Sequence, residues 1–179
     1  RAYHLFEEGK LNGVLNAKET ALSTGFFSDP VVTFHNVAIS LEKNHYPEDI
    51  RPSFMIDKSV VAFQKASILL GDEFYNMTEE NSSYMEIAKQ SLQINLLMIR
   101  NIDFIVLDKS IFGYYWHKAR NDPSLVHAKR KLSQAVKFHE MFEPSAYQFV
   151  FNTAELRDDF NAGLSQLRES GEYDAILER

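Results

Sequence analysis

Cysteine is missing from this 179-residue chain, which excludes disulfide staples and thiolate metal ligands but suits either redox compartment. Long apolar runs are missing too. Nothing approaches the roughly 20 residues that span a bilayer, so the expectation is a chain without direct membrane insertion. The opening Arg1-Ala2-Tyr3-His4 has no signal-peptide pattern. Positive charge is scarce: 19 Lys and Arg against 25 Asp and Glu leave a net charge of -6, which disfavours a general attraction to nucleic acid or to an anionic membrane. Several reactive motifs are also absent. His139-Glu140-Met141-Phe142-Glu143 reads HExxE and lacks the second histidine of a zinc helix, so no metal is expected. No nucleophile elbow sets up a Ser/His/Asp triad, no glycine-rich phosphate loop is present, and no cofactor is implied.

What the chain does have is apolar material, 45% hydrophobic and 13% aromatic, enough for a core in one domain or two small lobes. The patterning predicts a helix over 2–8, a strand over 11–15, a strand over 34–41 and a polar connection over 42–52. A strand over 59–63, a helix over 66–73 and a short strand over 74–77 follow. Ser83 and Glu86 have capping-box spacing and predict a helix from there to about Ile99. Phe104-Ile105-Val106-Leu107-Asp108 reads as a strand buried on both faces with an acid at its carboxyl end. Helical or irregular stretches over 110–120 and 124–132, a strand over 134–138 and another over 147–151 come next. Asn152 and Glu155 open a helix with Leu156, Phe160, Leu164 and Leu167 on one face, Gly171 closes it, and a short helix ends the chain. Strands alternating with helices predict an α/β chain with open, mostly parallel sheets. A faint echo between 5–18 and 96–109 is what two similar lobes would leave, and also what chance gives with short apolar strings.

Few residues could carry chemistry. Ligands of open α/β sheets sit beyond the carboxyl ends of strands, which puts Asp108 in a favoured place; the alternative is that it caps the helix starting near Ser110. Asp103, five residues earlier, points to the other face and is no partner for it. Lys65 and Ser67 lie between a strand and a helix, where backbone N–H groups, a hydroxyl and an ammonium could hold an anion, or form an ordinary helix cap. The basic cluster His117, Lys118, Arg120, His127, Lys129, Arg130 and Lys131 has no nucleic-acid motif around it, and a solvated helix face accounts for it.

Four segments carry a family resemblance: the end, "FNTAELRDDFNAGLSQLRESGEYDAILER", then "FEEGKLNGVLNAKE" with "FFSDPVV", "SVVAFQKAS" and "IRNIDFIVLD". Together they resemble the type II periplasmic solute-binding proteins, the family 3 group of amino-acid receptors of ABC transporters. The resemblance implies two α/β lobes, each an open sheet flanked by helices, with a solute trapped between them by hinge closure. It implies a first lobe over 1–41 and 147–179, a second over 53–142, and connections over 42–52 and 143–146. The family's leading strand, helix and second strand have no counterpart after Arg1, so the first lobe is expected to be incomplete at its N-terminus.

By the same resemblance Asp108 matches the carboxylate that receives a ligand ammonium, and Ser67 a hydroxyl near the ligand carboxylate. Asn16, Lys18 and Thr20 fall in the cleft-facing loop of the first lobe. The family's carboxylate-clamping arginine is missing, since no Arg stands between Arg1 and Arg51. Lys65, Lys18 or backbone N–H groups are left for an acid. The implied function is non-enzymatic: a periplasmic, monomeric binding protein for a small polar solute, amine-bearing ones included, serving a membrane permease. The alternatives are the sensing domain of a membrane receptor and an accessory lobe of a cell-wall-cleaving enzyme.

Overall fold

A computed structural model describes residues 2–17, 22 and 24–177. The chain divides into two compact units, Arg1–Phe34 with Ser145–Arg179, and His35–Pro144.

The second unit is built on a five-stranded sheet. Its strands are β4 (Asn36–Leu41), β5 (Val60–Phe63), β6 (Tyr84–Ile87), β7 (Phe104–Asp108) and β8 (Val136–His139), in the order β6-β5-β7-β4-β8. β5 runs parallel to β6 and β7, and β4 is antiparallel to β7 and β8. Strand alternation sorts the inner strands onto two faces. Val37, Ile39, Leu41, Val61, Ile105 and Leu107 enter one core with residues of α4 (Ser91–Met98), α5 (Lys109–Arg120) and α6 (Lys129–Leu132). Ala38, Val60, Ala62, Phe104 and Val106 enter the other, with Phe74 and Met77 of α3 (Asp72–Glu80) and Met55 of the 3₁₀ turn Pro52–Met55. Both faces of β7 are covered, as an unbroken apolar string requires.

The first unit gathers around β9 (Ser145–Phe151). β1 (Gly13–Ala17), β2 (Phe26–Phe27) and β3 (Val32–Phe34) each pair with it antiparallel. A small core of Phe6, Val14, Ala17, Leu22 and Val150 joins this sheet to α1 (Ala2–Glu7). Gly25 adopts φ +114, and a Cβ there would stand 2.5 Å from Val150 Cγ2, so only glycine fits this approach. α7 (Ala154–Glu169) begins at Thr153, whose hydroxyl accepts from Leu156 N–H, and α8 (Glu172–Leu177) follows.

Several expectations are corrected. Residues 36–41, expected in the first lobe, form β4 in the sheet of the second unit, because its amides pair with β7 and β8. Residues 74–77 are helical, inside α3, with Phe74 and Met77 three apart on its buried side. The helix predicted from Ser83 is instead β6 followed by α4, since residues 84–87 pair with β5. The expected mostly parallel pairing holds only among β5, β6 and β7.

Candidate functional site

β5 and β7 are parallel neighbours in the register Val60↔Phe104 to Ala62↔Val106, so Asp108 and the segment with Lys65 and Ser67 leave the sheet at the same end. Asp108 is 5% exposed and is the N-cap of α5. Its Oδ1 accepts from Ser110 N–H at 2.8 Å and Ile111 N–H at 3.0 Å, and its Oδ2 accepts from His35 N–H at 2.7 Å. Of the two alternatives raised by the sequence, the hydrogen bonds display the helix cap. The two capping bonds and the one from His35 use three of roughly four acceptor positions of a carboxylate, which leaves one for a further donor.

Lys65 and Ser67 are brought together by Glu86, which the sequence offered only as a helix-capping acid. Lys65 takes φ 68 ahead of the short helix α2 (Ala66–Leu69). Its N–H donates to Glu86 Oε2 at 2.6 Å, while Ser67 donates to Glu86 Oε1 through its N–H at 2.9 Å and its hydroxyl at 2.8 Å. Tyr84 adds a hydroxyl donor at 2.8 Å to the same Oε1. Burial pushes the Glu86 carboxyl upward, but the donors from Ser67, Tyr84 and Lys65 outweigh it and hold its pKa below the usual value. Burial and the adjacent carboxylate raise the Tyr84 hydroxyl, so it stays a donor. The predicted anion corner therefore holds an anion of the protein's own. The sequence marks Glu86 only as the acid of a capping-box spacing with Ser83, and the alternation of Tyr84 to Ile87 that would place it on a strand is short.

Asn16 belongs to β1 of the first unit. Lys18 and Thr20 lie outside the described residues. Asp103 is structural: it accepts from Tyr46 Oη at 2.7 Å and from Ser59 N–H and Oγ at 2.9 and 2.6 Å. Among the described residues no cluster of His, Asp or Glu could hold a metal ion, and no helix is long and apolar enough to cross a membrane.

No protein-family model matches the sequence, and no curated protein matches it. Solved structures do match. The GluR0 ligand-binding core in complex with L-glutamate superposes with a TM-score of 0.66 at 16% identity, over 99% of this chain and 76% of that one. An amino acid ABC transporter substrate-binding protein, AbpA from Streptococcus pneumoniae bound to L-arginine, gives 0.63 at 17% identity, over 98% and 70%. A histidine kinase sensor domain with similarity to periplasmic binding proteins gives 0.64 at 15%, over 97% and 71%. The chain has the type II periplasmic binding protein fold. In that fold the sheet end bearing Asp108, Lys65 and Ser67 belongs to the second unit, and the corner at Ser67 is closed by Glu86.

Proposed function

We propose that this chain is an extracytoplasmic solute-binding domain that captures a small polar, amine-bearing molecule without chemical turnover. The observation that carries the reading is the likeness of fold to solved ligand-binding proteins over 97–99% of the chain. The chemistry of the second unit supports the choice of ligand. With Glu86 filling the backbone donor of Lys65 and both donors of Ser67, a ligand carboxylate finds those donors taken. Asp108 and Glu86 instead supply acceptors, which suit an ammonium group. Asn16, Lys18 and Thr20 are the further contacts we assign in the first unit. The protein acts as a periplasmic monomer that delivers its solute to a membrane permease.

The test is a thermal-shift screen against amino acids, diamines, small acids and sugars. A ligand at one hundred times its Kd adds about 2.7 kcal/mol and raises the melting temperature by several degrees. We expect a shift with amine-bearing compounds that is reduced at least about tenfold in affinity in Asp108→Asn, which keeps a capping oxygen but loses the charge. A shift with acids alone, or unchanged affinity in the variant, refutes the assignment.

The histidine kinase sensor domain among the matches supports a second reading, a sensory module in which binding drives a signal. A transmembrane span encoded after Arg179 favours it over delivery to a permease. Turnover of cell-wall fragments by the purified protein would instead favour the enzymatic alternative.

A further inference from the structure

Segment 117–131 stands apart in a chain of net charge -6: Lys118, Arg120, Lys129, Arg130 and Lys131 face one carboxylate, Asp122. Asp122 is already engaged, its Oδ1 accepting from Ser124 N–H and Oγ at 2.8 and 2.7 Å. Among the described residues, Arg120, Lys129 and Arg130 enter no ion pair.

Basic residues in the last turn of a helix are commonly explained by the carbonyls exposed there. That explanation leaves them directed into solvent independently of one another. Here the end of α5 and the start of α6 wall a common pocket of about 410 Å³, lined by His117, Arg120, Asn121, Lys129 and Ser133, with no carboxylate among the described residues of the lining. Its main cation is held in place. The Arg120 guanidinium lies 5.3 Å from the centre of the Trp116 ring. That ring is fixed by its Nε1–H, which donates to Leu132 O at 2.7 Å, and by packing on Phe112. Stacking restrains the guanidinium plane and leaves its N–H edge available to a partner. His117 Nε2 accepts from Asn121 Nδ2 at 3.0 Å, which puts the ring proton on Nδ1 as a further donor.

We propose that this pocket is an anion site for a phosphate-type oxyanion, either free or as the headgroup of an anionic lipid. Arg120 and Lys129 are its charged donors, and Ser133 and His117 add further N–H and O–H groups. The site is separate from the solute contacts assigned above and does not depend on them.

Inorganic phosphate titrated into ¹⁵N-labelled protein at constant ionic strength, with chloride as the control, provides the test. The expected result is a saturable set of amide shifts confined to 117–121 and 129–133, weakened about tenfold or more in the double variant Arg120→Gln/Lys129→Gln. Both side chains are exposed, and the variant's unfolding curve verifies its fold. In parallel, phosphatidylcholine vesicles with and without phosphatidylglycerol distinguish the sources. Co-sedimentation that requires phosphatidylglycerol and is lost in the variant assigns the site to a headgroup; phosphate binding without vesicle binding assigns it to a soluble oxyanion. If neither probe binds, or if binding is equal in the variant, the proposal is overturned.

Discussion

His139 sits fully buried in β8, its Nδ1 donating to Glu48 O at 3.2 Å and its Nε2 accepting from Ser40 Oγ at 3.0 Å. Burial lowers its pKa below the ordinary 6.5, and Lys137 lowers it further, against the opposing pull of Glu48. The unfolded chain therefore takes up the proton first as pH falls, so this contribution to stability is complete above about pH 6.5 and is lost below it. Glu86 and Asp103, both held below the usual carboxylate range, contribute stability at neutral pH that is lost only at still lower pH, as each folded-state value is passed. Urea midpoints should thus fall between about pH 8 and pH 5.5 in the wild type, and His139→Gln should flatten that interval while leaving the acid limb. A wild-type midpoint constant over the interval would refute this. These partnerships differ in how far sequence could show them. Ser110 and Ile111, which Asp108 caps, lie within three residues, and a helix start after an acid is a local signal. The third donor, His35, is 73 residues away, and the bond from Ser67 to Glu86 spans 19 residues, so neither leaves a local trace.

β6 and α4 show the same limit for whole elements. A capping box and a strand start are alike in a few residues, and the outcome here is decided by a distant segment. Asn81 is the arbiter: its Nδ2 donates to Met55 O at 2.7 Å and Lys58 O at 2.9 Å, and its Oδ1 accepts from Ser83 N–H at 2.7 Å. This ends α3 and delivers Tyr84 into register beside Val60. Asn81→Ala should destabilise the protein by about 2–3 kcal/mol, because it strands buried polar groups as well as removing bonds. Chemical denaturation checks this, and a loss below about 0.5 kcal/mol would mean that solvent replaces the amide. Elements with their own strong pattern were readable: β7 from its apolar string, and α7 from its spaced apolar residues, although its cap is Thr153 and not the expected Asn152. α3 was not, since Phe74 and Met77 alone also suit a short strand.

At the scale of the whole molecule, the two units differ in how the chain supplies them. The second unit is one continuous segment, His35–Pro144, with an apolar core on each face of its sheet. A chain ending at residue 144 should therefore build this sheet and unfold cooperatively, while residues 2–34 exchange their amide hydrogens freely for want of β9. Hydrogen exchange read residue by residue decides this, and protection of β1 in such a chain would refute it. The two-lobe organisation was legible through the family resemblance, since alternating helix and strand patterns indicate an α/β chain without giving the number of sheets. The assignment of β4 was not, because the strand lies at the crossing between units and its apolar residues would suit either sheet.

That β1, β2 and β3 pair, among the described residues, only with β9 also sets an order of events in the cell. A ribosome releases the chain from its amino end, so the first three strands emerge early and wait through synthesis of the entire second unit. Throughout that interval the edges that β9 will occupy stay open to other nascent chains, and these pairings form only once Ser145–Phe151 arrives.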